Sequence, residues 1–202
     1  MSQPEPTATP LRPAPRHALQ QRVSAAILDA AARVLGGRGE QASMSDVAAA
    51  AGVARATVYR YFPSRQALLD ELARLAVRDA GERLASARID EVDAEEGVRR
   101  AIRALVDVGD YFVVLARERV QPDADELEHA LAAPLRRLFE RGAAAGEIRG
   151  DIPSSWLTNS LVGLVVGVLR STPALGREDT IAAISGLFFD GVRAPNVRSR
   201  NA

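Results

Sequence analysis

Between Ser43 and Arg65 the chain gathers side chains suited to gripping an anionic polymer: Ser43, Ser45, Arg55, Thr57, Tyr59, Tyr61 and Arg65. Guanidinium groups bring charge and paired donors, and hydroxyls bring donors for phosphate oxygens. An arginine such as Arg55 can form a two-pronged bond to a guanine edge, worth ~1–3 kcal/mol of discrimination, or can simply sit in solvent. Tyr59 reads either as offering its hydroxyl to a phosphate oxygen or as a core aromatic joining the third and first helices. Arg60 reads as reaching a phosphate backbone or as solvated. Other chemistries find little footing. There is no cysteine, which removes thiol nucleophiles, disulfides and cysteine-held metals, and the two histidines, His17 and His129, lie far apart. Glu95 and Glu96, and the group Asp123, Asp125 and Glu126, read as solvated helix starts favoured by the helix dipole. None has the Glu-x-x-His spacing of a di-iron bundle. No cofactor or metal is expected, and an enzyme is the disfavoured alternative. A helical adaptor with a protein-binding head is a second alternative, opposed by the Arg-rich segment and its tyrosines.

The elements that must position these residues are helices. Residues 1–15 hold five prolines without periodic pattern and read as a disordered arm. From Arg16 the pattern turns helical, with Val23, Ile27, Ala31 and Val34/Leu35 on one face, ending at Gly36-Gly37. A second helix starts at its cap Ser43, with Asp46 three residues on, and stops at Ala51-Gly52. A third runs from about Ala54 to Tyr61 and ends before Pro63. Ser64 caps a long fourth helix with Leu68, Leu72 and Leu75 on its buried stripe. Val47, Val53, Val58 and Phe62 form the head's small core.

With Asp93 as its cap, helical pattern continues from about Ala94 to Arg119 with a break near Gly109, and from about Glu126 to Ala145 with a kink or split at Pro134. The last two helices span about Ser154–Ser171 and Arg177–Val192. No strand pattern and no internal repeat emerges, so the expected fold is all-α. The expected domains are a helix-turn-helix head over residues 16–65, its motif at about 43–62, and a helical body over 66–202.

Composition agrees. Of 202 residues 47% are hydrophobic and only 4% aromatic, a composition suited to helices packed through Ala, Leu, Val and Ile. The formal charge of zero divides unevenly: residues 16–65 carry seven arginines against three acids, a net of +4, and residues 66–202 a net of −4. A basic front on an acidic body suits a head that binds a polyanion. All basic residues are arginine, which we read as compositional bias. No leader pattern opens the chain, and the apolar run Trp156–Leu169 falls short of the ~20 residues that span a bilayer, so a cytoplasmic protein is expected.

The string SMSDVAAAAGVARATVYRYFPSRQALLDEL, residues 43–72, closely resembles the DNA-binding signature of the TetR (tetracycline-repressor-like) family. The shared features are a capped second helix, an A-G-V turn, a T-x-Y-x-Y-F third helix, and P-S-basic-x-x-L-L opening the fourth. The resemblance is sharp over about residues 20–72 and rests beyond that on helix number and length. It implies a recognition helix that presents Arg55 and Ala56 to base edges, with Thr57, Tyr59 and Tyr61 at phosphate or groove wall. It also places Ser45 toward the groove. Arg65, where the family usually carries lysine, is then expected to clamp a phosphate. The start of the second helix, at Ser43, suits a phosphate as well. One departure is Ala54, where a capping serine is common.

The resemblance further implies a transcriptional regulator, preferably a repressor. It would act as a homodimer on a double-stranded operator of two half-sites and be released by a small-molecule effector. Candidate seam residues are Ser160, Gly163 and Gly167 on the penultimate helix and Ile181, Ser185 and Phe188 on the last, with ordinary intrachain core as the alternative. Candidate pocket residues are Tyr111, Phe112, Phe139 and Trp156, for each of which core packing is the simpler reading. Thr158, Asn159 and His129 are weaker polar candidates.

Overall fold

A computed structural model describes residues 15–38, 41–171 and 175–192, with side chains omitted at 15–17 and 38. The N-terminal arm, apart from Pro15, and the side chain of His17 therefore lie outside the described residues. Helices follow in the order α1 (Pro15–Arg38), α2 (Met44–Ala51), α3 (Arg55–Tyr61), α4 (Arg65–Ser86), α5 (Ala94–Asp107) and α6 (Gly109–Glu118). The short α7 (Ala124–Leu127) passes through a π-helical turn, Glu128–Ala132, into α8 (Ala133–Ala144); α9 (Ser154–Leu169) and α10 (Arg177–Val192) complete the fold. Among the described residues no β-strand forms, so the all-α expectation holds.

Local chemistry sets the boundaries. Ser43 and Asp46 build a reciprocal capping box on α2: the Asp46 amide donates to Ser43 Oγ at 3.2 Å and the Ser43 amide donates to Asp46 Oδ2 at 2.8 Å. Gly52 closes α2 at φ 67°, a left-handed conformation that glycine adopts without penalty. Ser64 and Asp93 cap α4 and α5 through amides three residues on. The break near Gly109 is real, with Val108 standing between α5 and α6. At Pro134 the expected interruption takes the form of a wide turn, Glu128–Ala132, that divides α7 from α8. The proline has no N–H to give Ala130, and the chain widens instead, the Ala133 amide bonding to the Glu128 carbonyl five residues back.

Two cores result, and α4 runs through both. The head core gathers Ile27, Leu35, Val47, Val58, Phe62, Leu68 and Leu72, with Val114 and Leu115 contributed by α6. The body core begins at Ala80 and Leu84 of α4 and centres on Ile102, Leu135, Leu138, Phe139, Leu161 and Ile184. Burying each such side chain stabilises the fold by roughly 1.5–3 kcal/mol. The head therefore stands on the body through α4 and α6.

Candidate nucleic-acid interface

The short helix α3 is built around one inward side chain. Val58 is fully buried, whereas Arg55, Ala56, Tyr59 and Arg60 are exposed. Thr57 and Tyr61 are half-buried, and Phe62 caps the helix from inside the core. Tyr59 is therefore not the core aromatic that joins α3 to α1. It lies beside Arg55, whose guanidinium sits 5.3 Å from the ring centroid and donates to the phenol oxygen at 3.4 Å. That stacking limits the rotamers of Arg55 before any ligand arrives, which lowers the entropy lost on binding. Arg60 stacks in the same way on Tyr61, at 5.3 Å. Ser45 is exposed on the first turn of α2. Ser43 is also exposed, but its hydroxyl donates to Asp46 Oδ2 at 2.6 Å, so its side chain is already engaged in the cap.

Arg65 departs from the expectation of a free phosphate clamp. Its Nη2 and Nε donate to Glu118 Oε1 and Oε2 at 2.8 and 3.3 Å, and its Nη1 donates to the Ala42 carbonyl. The Glu118 side chain is only 8% exposed and that of Arg65 32%. Removing the cation would leave a nearly buried carboxylate without its counter-ion, at a cost of roughly 3 kcal/mol. Nothing in the local spacing announces Glu118, which lies 53 positions along the chain.

Two further polar contacts join the head to α6. Arg117 donates to the Gly36 carbonyl in the last turn of α1, where carbonyls lack helical partners. Tyr111 donates its hydroxyl to Asp29 Oδ1 at 2.9 Å. Burial foremost, then the bond to Asp29 and its charge, push the Tyr111 hydroxyl up to about 12.

The expected pocket residues do not converge. Trp156 is 70% exposed on the first turn of α9, while Phe139 is buried against Phe188 with ring centroids 5.8 Å apart. Phe112 faces an apolar crevice of about 10 Å³ beside Gly109 and Val165, room for one water at most. Thr158 is buried with its hydroxyl on the Ser154 carbonyl, and Asn159 is exposed. His129, the third polar candidate, lines a larger space whose other walls sequence reasoning missed, a groove of about 660 Å³ between α4 and the π turn with α8. Its walls carry Arg78, Glu82, His129, Arg137 and Arg141, residues that no single helix period links.

Of the seam candidates, Ser160, Gly163 and Gly167 lie on the outward face of α9, and a side chain at either glycine would meet open space. Ile181 and Phe188 are corrected: at 6% and 4% exposure they belong to the chain's own core and offer little to a second chain. Both faces of α10 are rich in apolar and small residues, and the one carrying Phe188 packs inward. The face turned out carries Ala182, Gly186 and Leu187, the last 63% exposed, and Ser185 lies between the two.

A basic, tyrosine-flanked recognition helix on a three-helix head, carried by an all-helical body, defines a helix-turn-helix regulator of transcription. The chain belongs to the TetR family. The family model described as bacterial regulatory proteins, tetR family, matches residues 27–72. The HTH-type transcriptional repressor LfrR of Mycolicibacterium smegmatis is 40% identical over 186 residues, 86% of this chain and 92% of that protein. The crystal structure of LfrR from Mycobacterium smegmatis in complex with proflavine superposes with a TM-score of 0.70, covering 86% of this chain and 97% of that one. Identity over that spatial superposition is 25%, below that of the sequence match, and the sequence match is what assigns the family. The TetR regulator SCO0520 of Streptomyces coelicolor superposes with a TM-score of 0.61 at 27% identity, over 85% and 99% of the two chains.

Proposed function

We propose that this protein represses transcription by holding a two-half-site operator as a homodimer, and that a small molecule releases it. The carrying observation is the outward row Arg55, Ala56, Tyr59 and Arg60 on α3, set over the single buried Val58. Arg55 reads a base edge, held in readiness by Tyr59, while Arg60, Thr57, Tyr61 and Ser45 approach the phosphates or groove wall. LfrR is named a repressor and is seen with proflavine, which supports both repression and a small-molecule effector here. The groove between α4 and α8 has the volume of a ligand site, and the crevice beside Phe112 does not. We place the effector in the groove.

The reading places the protein in the cytoplasm, where its operator is, and gives it no enzymatic role. No described helix is long and apolar enough to cross a membrane.

Selection of fragments from the source genome, followed by anisotropy titration of the recovered duplex, tests the reading. Binding should be sequence-selective and should weaken steeply as salt rises. Arg55→Ala should lose about 1–3 kcal/mol of preference for the selected duplex over one altered at a contacted guanine. If the protein recovers no fragment above background, the regulator reading ends.

A further inference from the structure

Arg65 opens α4, Ala42 immediately precedes the cap of α2, and Glu118 is the last residue of α6. One guanidinium therefore ties the starts of two head helices to the end of α6, which packs on the head through Val114 and Leu115 and also on α5 and α9 of the body. Its donors point three ways, to both oxygens of Glu118 and to the Ala42 carbonyl. Three of its five N–H groups are spent on these bonds, including the Nε–Nη2 fork that could hold a phosphate two-pronged. To capture it, a phosphate would have to strip the counter-ion from a carboxylate that is 8% exposed. Arg117 next to Glu118 is held by the Gly36 carbonyl, so it is not a ready substitute.

We propose that Arg65 is a positioning residue: with Glu118 it fixes the angle at which the helix-turn-helix leaves the body, and it touches no operator phosphate. This rests on the DNA-binding reading above. An ionic joint suits this task because its geometry is two-pronged and its partners come from separate elements.

The test uses the full chain and a duplex recovered with the unaltered protein, titrated over a range of salt. Arg65→Gln and Glu118→Gln should each weaken binding by about tenfold, and the double variant should be no weaker than the worse single, since one interaction is lost in all three. The slope of log affinity against log salt should stay that of the unaltered protein in every case. Arg65→Lys keeps the charge but not the fork, and it too should weaken binding at unchanged slope.

A phosphate clamp makes different forecasts. Arg65→Gln would then flatten the slope by about 0.9, the equivalent of one phosphate, Arg65→Lys would bind almost normally, and Glu118→Gln would bind as tightly as before or tighter. Those results overturn the proposal. If a glutamine variant melts near the assay temperature, Arg65→Lys still decides by its affinity and slope. Absence of any binding by the unaltered protein overturns the regulator reading itself, and this one with it.

Discussion

Ala54 occupies the cap position of α3 with an extended backbone, φ −66° and ψ 146°, and no side-chain bond to the helix start. The exposed first turn of the recognition helix thus lacks a partner that serine would supply. Ala54→Ser should raise stability by about 1 kcal/mol, read as a rise of a few degrees in melting temperature. An unchanged or lowered melting temperature would show that the cap is not limiting. Tyr111 carries a second residue-level prediction. Its hydroxyl is raised from 10.0 to about 12, so the fold favours the neutral phenol. The resulting stabilisation is complete below pH 10 and is lost as the pH climbs through about 12. Of three tyrosines one should ionise late in an ultraviolet titration, and Tyr111→Phe should remove that step. Absence of a late step, or one that survives Tyr111→Phe, would refute the burial and the Asp29 bond that raise this hydroxyl. These cases mark what could be read from the sequence at this scale. The caps Ser43, Ser64 and Asp93 lie three residues from their amides, and proximity alone announces them. The partners of Tyr111 and Arg65 lie 82 and 53 positions away, and no spacing rule reaches so far.

Helices were legible because their period is local; which face each one buries was legible only where one face is polar. On α5 the contrast is sharp, with Val98, Ala101, Ile102 and Leu105 inside and Arg99 and Arg103 outside. On α10 apolar and small residues ring the helix, so periodicity could not choose, and Ile181 and Phe188 were assigned to the wrong neighbour. The widened turn at Glu128–Ala132 was equally hidden, since a proline that breaks a helix and one that widens it look alike in sequence. Close approach between elements is likewise a tertiary property. Gly142 of α8 lies where an added Cβ would come within 2.6 Å of Ala94 Cβ on α5 and 2.8 Å of Ile148 Cδ1. The end of Ile148 can move, but Ala94 Cβ moves only with its helix. Gly142→Ala should therefore destabilise by about 1–3 kcal/mol in urea unfolding, despite the better helix propensity of alanine. A stabilised variant would mean that α5 and α8 have room to separate.

At the scale of the whole molecule, the proposed reading has two heads address two half-sites together, and the outward faces of α9 and α10 are where a second copy fits it. Ser160, Gly163 and Gly167 lie on one helix and Gly186 and Leu187 on the next, small residues that let backbones approach, with one large apolar side chain beside them. The glycines make the proposal separable from folding. An added Cβ at Gly163 or Gly167 meets nothing within 4 Å inside the chain, and within a helix replacing glycine favours the folded state by up to about 1 kcal/mol. The double variant Gly163→Leu with Gly167→Leu should thus keep its helicity and melt no earlier than an isolated chain would. In sedimentation the unaltered protein should run as a dimer at micromolar concentration and the variant as a monomer. Operator affinity should fall with it, by about 10²–10⁴-fold, because the second head no longer binds at the high local concentration that the first secures. A variant that stays dimeric with unchanged affinity would move the seam elsewhere on the body, and an unaltered protein that sediments as a monomer would remove it altogether.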